Sequence, residues 1–254
     1  MKKYLLGGVA SVVLSAGAAM AADMPVRAPI MKAPPLVAAA YNWSGFYTAS
    51  SVGGQWWDIN GAYVATLDRH NTSGSAGISG SHVGYQYQFG GWVIGVEGGY
   101  NAAWRGRGDL STSLSPSADC LGATAVLNRT CESRIKNYWT AGGKAGWAWN
   151  NFMVYGAGGY ANGRIFTDTI VTGTNPPVLT SVTDQRHGGW YAGIGADMFV
   201  TKLWLTDLIL GVEYQHVDLT SRLHVDTLVG ATGANNRNMR ATDEVVRFKV
   251  TSKW

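Results

Sequence analysis

Six charged residues hold most of the chemistry this chain could offer: Glu97, Lys144, Asp197, Glu213, Arg247 and Lys249. Each falls on the side of an alternating stretch that otherwise carries mostly Gly, Thr, Gln or Asn. Three acids and three bases on such faces must pair or stay hydrated, because an unpaired buried charge is too costly to keep. They predict an interior ion-pair network; lining a gated pore is the alternative. His82 shares that face and reads as a hydrated lumen residue, with a pH-sensitive place in the network as the alternative. The five histidines, His70, His82, His187, His216 and His224, are too scattered for a zinc spacing motif, so no metal and no other cofactor is expected. Ser81-His82 with Glu97 mimics the Ser, His and acid of a hydrolase rim, but strict alternation turns Ser81 away from the face of His82. With no nucleophile elbow and no H-E-x-x-H string, no catalytic residue is assigned and the chain is not expected to be an enzyme. Gly156, Gly158 and Gly159 are followed by no helix signal, which removes a nucleotide loop. Cys120 and Cys131 enclose ten residues and are expected to form a disulfide that staples one loop.

The stretch from His82 to Tyr100 shows which elements carry these side chains. Val83, Tyr85 and Tyr87 alternate with His82, Gly84, Gln86 and Gln88. After Phe89-Gly90-Gly91, residues Trp92, Ile94, Val96, Gly98 and Tyr100 alternate with Val93, Gly95, Glu97, Gly99 and Asn101. Period two marks strands, and the glycine pair suits a tight hairpin. In a soluble sheet the bulky apolar face would enter a core. In a membrane barrel it meets lipid, and the small polar face must fit a narrow interior. Aromatic residues at strand ends favour the second reading, since such rings prefer the membrane–water boundary. Trp43, Tyr87, Trp92, Tyr100, Trp147, Trp190 and Trp254 form the expected girdle.

The N-terminus sets the compartment. Lys2 and Lys3 precede an apolar run from Tyr4 to Ala16, and Ala19-Met20-Ala21 supplies a small-x-small cleavage site, so residues 1–21 read as a secretory signal peptide. Residues 22–40 hold Pro25, Pro29, Pro34 and Pro35 and read as an extended periplasmic leader. Of the 20 basic side chains two leave with the signal peptide, so 18 face 16 acidic ones, a net charge of +2 that makes no case for nucleic acid. No apolar run approaches the length a transmembrane helix needs, so a membrane-spanning form of residues 41–254 must be a closed barrel.

The same alternation recurs along the chain. Trp43-Ser44-Gly45-Phe46-Tyr47 opens a strand running to about Trp56. Trp139 to Trp147, Phe152 to Phe166, Trp190 to Met198, Leu208 to Gln215 and Val246 to Trp254 complete a set of eight with the hairpin. Which parity of the first and fifth strands faces inward stays open. Gly90-Gly91, Asn150-Asn151 and a turn near Thr201-Lys202 are short, while Asp58–Ala76, Arg105–Ser133, Thr167–Arg186 and Thr220–Thr242 read as long polar loops. Short connections at one end and long ones at the other are the pattern of an all-β, eight-stranded antiparallel transmembrane up-and-down β-barrel, with periplasmic turns and extracellular loops. An even strand count puts both termini in the periplasm.

Several pieces also match a known family. Ala19-Met20-Ala21-Ala22-Asp23, Trp43-Ser44-Gly45-Phe46-Tyr47, Gly84-Tyr85-Gln86-Tyr87-Gln88 and Val93-Ile94-Gly95-Val96-Glu97-Gly98 are four of them. Val154-Tyr155-Gly156-Ala157-Gly158-Gly159, Val212-Glu213-Tyr214 and Val246-Arg247-Phe248 are the others. Across the whole mature chain it resembles the small outer-membrane immunogenic-protein (porin-like) family of alphaproteobacteria. The resemblance implies an eight-stranded outer-membrane barrel, abundant at the surface and often antigenic, delivered by the barrel-assembly machinery through its C-terminal strand. The sequence departs from the pattern where Leu203 to Leu208 lengthens a turn, where it ends in Trp254 rather than Phe, and in the Cys pair. The expected role is structural: a surface scaffold in the cell envelope, its lumen plugged by the charge network, contacting outer-membrane lipid and lipopolysaccharide. The alternatives are a narrow diffusion channel for small hydrophilic solutes, or loop-mediated binding of haem or a host surface.

Overall fold

A computed structural model describes residues 41–65, 69–104, 129–171, 178–225 and 236–254, with the side chains of 70, 129–132, 168–171 and 178–181 excepted. The expected signal peptide and leader lie outside the described residues. Eight strands follow one another: β1 (Gly45–Tyr63), β2 (Arg69–Phe89), β3 (Trp92–Ala103), β4 (Arg129–Trp149), β5 (Phe152–Val171), β6 (Val178–Leu203), β7 (Thr206–His224) and β8 (Arg237–Lys253). Each pairs antiparallel with its sequence neighbours, and β1 closes the ring on β8, with Tyr47 opposite Lys253 and Ala62 opposite Asn238. Closure leaves no sheet edge, as hydrocarbon requires.

At one end the strands are joined by two-residue turns: Gly90-Gly91, Asn150-Asn151 and Trp204-Leu205. Gly90 and Asn150 take the positive φ (60° and 51°) such turns demand. The third turn corrects the expectation of one near Thr201-Lys202. Strand β6 runs on to Leu203 and absorbs the extra residue as a bulge between Phe199 and Thr201, so the turn itself is not lengthened.

At the other end the strands reach far into the stretches read as loops. The connections shrink to residues 64–68, 104–128, 172–177 and 225–236. The reason is a reversal of polarity. Through the middle of the barrel Val83, Val96, Ile194, Val212 and Phe248 face outward and are exposed. Beyond Trp56, Tyr160 and Trp190 the outward positions become Asp58, Asn60, Arg164, Arg186 and Arg240, while Trp57, Ile59, Ile78, Ile135, Ile165, Val217, Leu219 and Met239 turn inward as a buried cluster. This part follows the rule of a soluble barrel. Its polar, Ser- and Asn-rich composition resembled loop because the outward half of each strand there meets water. The parity left open in β1 and β5 is odd-inward in both: Tyr47, Trp57, Met153 and Ile165 are buried.

Candidate functional site

The lumen is layered. Nearest the two-residue turns lies an apolar cluster of Trp43, Val93, Met153, Tyr155 and Ile209. Trp43 is fully buried, which corrects its expected place in the outer girdle. It precedes β1, and the chain folds into the barrel mouth: its N–H donates to Gln88 Oε1 (2.8 Å) and its carbonyl accepts from Gln86 Nε2 (2.7 Å). Beside it Lys253 Nζ meets Asp207 at 3.2 Å and donates to the Ser44 carbonyl at 3.2 Å.

Above this cluster the six charged residues project from β3, β4, β6, β7 and β8 into one layer. Lys249 Nζ stands 3.1 Å from Glu97 Oε2 and 3.0 Å from Glu213 Oε2. Arg247 pairs with the other oxygen of Glu213 and donates to Asn101 Oδ1 at 2.8 Å. Tyr47 and Tyr155, which sequence reasoning missed, donate their hydroxyls to Glu97 (2.9 Å) and Glu213 (2.7 Å). Their only advance signal was alternation in the two strands whose parity stayed open. Lys144 and Asp197 form a looser pair, 3.8 Å apart, with Lys144 Nζ between the rings of Tyr47 (4.7 Å) and Tyr155 (4.6 Å). Glycines make the room. A Cβ on Gly84 would lie 2.5 Å from Tyr47 Oη, and one on Gly195 would lie 2.4 Å from Tyr155 Cζ.

His82 joins the layer between Glu97 Oε1, 3.4 Å from its Nδ1, and Ser51 Oγ, 3.1 Å from its Nε2. Ser, His and acid are therefore in line, but the serine is Ser51, not Ser81, whose side chain lies on the outer wall. Catalysis needs a substrate carbonyl against the serine. Ser51 Oγ is instead enclosed, with a Cβ on Gly80 falling 2.8 Å from it, and Glu97 is committed to Lys249 and Tyr47. Ser51 and His82 share a buried hydrogen bond in the lumen, and Glu97 is the nearest charge to His82.

The remaining histidines separate. His216 faces outward against Glu244 (2.6 Å). His187 and His224 meet inside the end opposite the two-residue turns, Nε2 to Nε2 at 2.6 Å, with His187 Nδ1 on the Thr220 carbonyl and His224 Nδ1 on Thr183 Oγ1, both at 2.9 Å. Nothing in their spacing announced this contact, which lies beyond the last β6–β7 pair, Gly189 opposite Leu219, where the two strand ends come together inside the barrel. The His70 side chain lies outside the description. Among the described residues no three His, Cys, Asp or Glu side chains converge on a point that could hold a metal ion. The expected Cys120–Cys131 bond also lies outside the described residues, although the Cys131 backbone is part of β4 rather than a loop.

The family model for the outer membrane protein beta-barrel domain matches residues 9–248. The chain belongs to that family. No curated protein matches it. Among solved structures it is similar to Ail, the attachment invasion locus protein of Yersinia pestis (11% identity, 82% of this chain and 99% of that one, TM-score 0.34). It is also similar to OprG from Pseudomonas aeruginosa (12% identity, 84% and 97%, TM-score 0.42) and to the outer membrane protease OmpT from Escherichia coli (8% identity, 83% and 97%, TM-score 0.40).

As an outer-membrane barrel the chain should present aromatic rings at both lipid boundaries. Tyr87, Trp92, Trp147 and Trp254 are exposed on the outer wall at the turn end, with Trp92 and Trp147 edge to face at 5.1 Å. Tyr100 and Trp190 are exposed at the opposite boundary, joined by Trp139 against Tyr160 (5.3 Å).

Proposed function

We propose that this outer-membrane barrel is a structural, surface-exposed component of the envelope whose lumen does not conduct. Its two-residue turns and the end of β8 face the periplasm, and the opposite strand ends face outward. The observation that carries this reading is the charged layer around Lys249, enclosed between the Trp43 cluster below and the Trp57–Ile135–Leu219 cluster above. An eight-stranded barrel is just wide enough for its side chains to fill, and an ion crossing it would have to displace both apolar layers. The outward Trp254 that follows β8 supports delivery by the barrel-assembly machinery through the last strand.

The narrow-channel reading draws on one feature. Asp243 is fully buried with both carboxylate oxygens lacking a hydrogen-bond partner, and Gln55 Oε1 and Asn101 Nδ2 are likewise unpartnered, so this side of the lumen would hold water. Planar-bilayer recording separates the two. The unmodified barrel is expected to give no long-lived conductance step. A large stable one, altered in size by Glu97→Gln, refutes the closed lumen.

A further inference from the structure

The outward face of β4–β7, just beyond the aromatic boundary, gathers cations that nothing in the lumen uses. Its described side chains include Lys136, Arg164, Arg186 and the exposed Arg222 around the carboxylate of Asp184, while Asp218, level with Trp190, is held by Arg240 of β8. Asp184 is spent on two of them: Arg164 Nε at 2.7 Å and Lys136 Nζ at 3.4 Å. Arg164 and Arg186 are direct cross-strand partners on the same face. Like charges so placed destabilise a sheet unless something neutralises them. Arg186 reaches Asn162 Oδ1 at 3.4 Å, and Arg222 donates to the Arg186 carbonyl at 2.8 Å, so a third guanidinium joins the first two.

The height of these cations is informative. Arg164 and Arg186 each lie four residues, about 13 Å along the strand, beyond the boundary rings Tyr160 and Trp190. That is the level of lipid headgroups. Four residues to the other side of Trp190, Ile194 lines a shallow apolar groove of about 330 Å³ with Val154, Gly195, Ala196, Val212 and Tyr214. The groove faces hydrocarbon on the same strands. A basic layer above and an apolar groove below, divided by an aromatic ring, match one amphiphile of the outer leaflet.

We infer that Arg164, Arg186 and Arg222 bind the phosphate groups of a phosphorylated glycolipid, the lipid A portion of lipopolysaccharide, while one of its acyl chains lies along the Ile194–Val212 groove. The guanidiniums supply charge-assisted, bidentate hydrogen bonds, and a phosphate there would neutralise the charge of Arg186 and Arg222 that Asp184, held by Arg164 and Lys136, leaves over. This inference rests on the orientation in the proposed function, with the strand ends opposite the two-residue turns outside, and is independent of whether the lumen conducts.

The test is lipid binding to the detergent-purified full barrel by native mass spectrometry, with phosphorylated and dephosphorylated lipid A as probes. Wild type should prefer the phosphorylated form. R164Q/R186Q should weaken that binding roughly thirtyfold, R164K/R186K should retain most of it, and Lys202→Gln at the turn end should match wild type. Loss of the phosphate preference in R164Q/R186Q without loss of heat-modifiable mobility supports the site. If R164Q/R186Q does not fold, the preference of wild type and of R164K/R186K still decides. Equal binding of the two lipids by wild type, or binding by a folded R164Q/R186Q within threefold of wild type, overturns it. If inorganic pyrophosphate alone binds with the same dependence on R164Q/R186Q and displaces lipid A, the ligand is a soluble anion and the lipid assignment falls. Labelling of a tag inserted between residues 172 and 177 on intact cells tests the orientation alone, and an inaccessible tag removes the inference even where purified protein binds lipid.

Discussion

The ammonium of Lys249 contacts two carboxylates that are otherwise held by Tyr47, His82, Tyr155 and Arg247. Removing it leaves Glu97 and Glu213 facing each other across a space that water enters poorly. Lys249→Met should therefore cost about 3–5 kcal/mol, the range for breaking one partner from a buried ion pair, read as unfolding free energy in urea with lipid vesicles. Lys249→Met combined with Glu97→Gln should recover part of that loss. A single-variant cost near zero would mean the layer is hydrated. Gly195 tests the room around the same layer. Gly195→Val sets its Cβ against the Tyr155 ring, and should cost about 1–3 kcal/mol as an overpacking substitution while breaking the Tyr155–Glu213 bond. On the opposite wall Val96 is exposed where the barrel crosses hydrocarbon. Val96→Arg there should cost about 2–4 kcal/mol, and an unchanged folded yield in lipid would invert the side assignment. Alternation alone put Glu97, Lys144, Asp197, Glu213, Arg247 and Lys249 on one set of faces. Their partners were not legible, because a strand's period says nothing of its register against a strand 150 residues away, as between Lys249 and Glu97 (|i−j| = 152).

The strands that run beyond the aromatic boundary change their solvent partway along. In β8, Val246, Phe248 and Val250 face outward while Arg247 and Lys249 face inward; a few residues earlier Arg240 and Thr242 face outward while Met239 and Ala241 are buried. This reversal hid the strand ends from a reading that asked only for bulky outward residues, and it turned the expected loops into strand. The histidine pair sits in the upper, water-surrounded part. Burial holds the His187 pKa below its ordinary value against the hydrogen bond to the Thr220 carbonyl, which raises it, and the nearby Arg222 charge lowers it further. The folded barrel thus keeps His187 neutral, whereas the unfolded chain takes up its proton near pH ~6.5. Below that pH the unfolded state binds more protons, so stability is lost on acidification. Amide protection factors in Thr183–Tyr191 and Val217–His224, corrected for the intrinsic pH dependence of exchange, should fall as pH drops below about 6.5, and His187→Asn should flatten the dependence. An unaltered slope in that variant would assign the effect to other groups.

At the scale of the molecule, closure of β1 on β8 means that no hairpin can leave the sheet without opening the ring. The barrel should therefore resist detergent without heating and run at a different apparent size in unheated gels; identical mobility with and without boiling would count against a closed ring. By itself the sequence determined eight strands, two of the three short turns and the lipid-facing rows, because period two and turn residues are local properties written in neighbouring positions. Trp43 belonged by composition to the girdle, yet only the folded chain shows it capping the lumen, because a residue before the first strand has no alternation to place it. Only the tertiary structure decided that Ser51 rather than Ser81 meets His82, that His187 meets His224, and that Arg164 faces Arg186. Those contacts depend on register between strands and on the height at which lipid gives way to water, and neither quantity is carried by any single stretch of the chain.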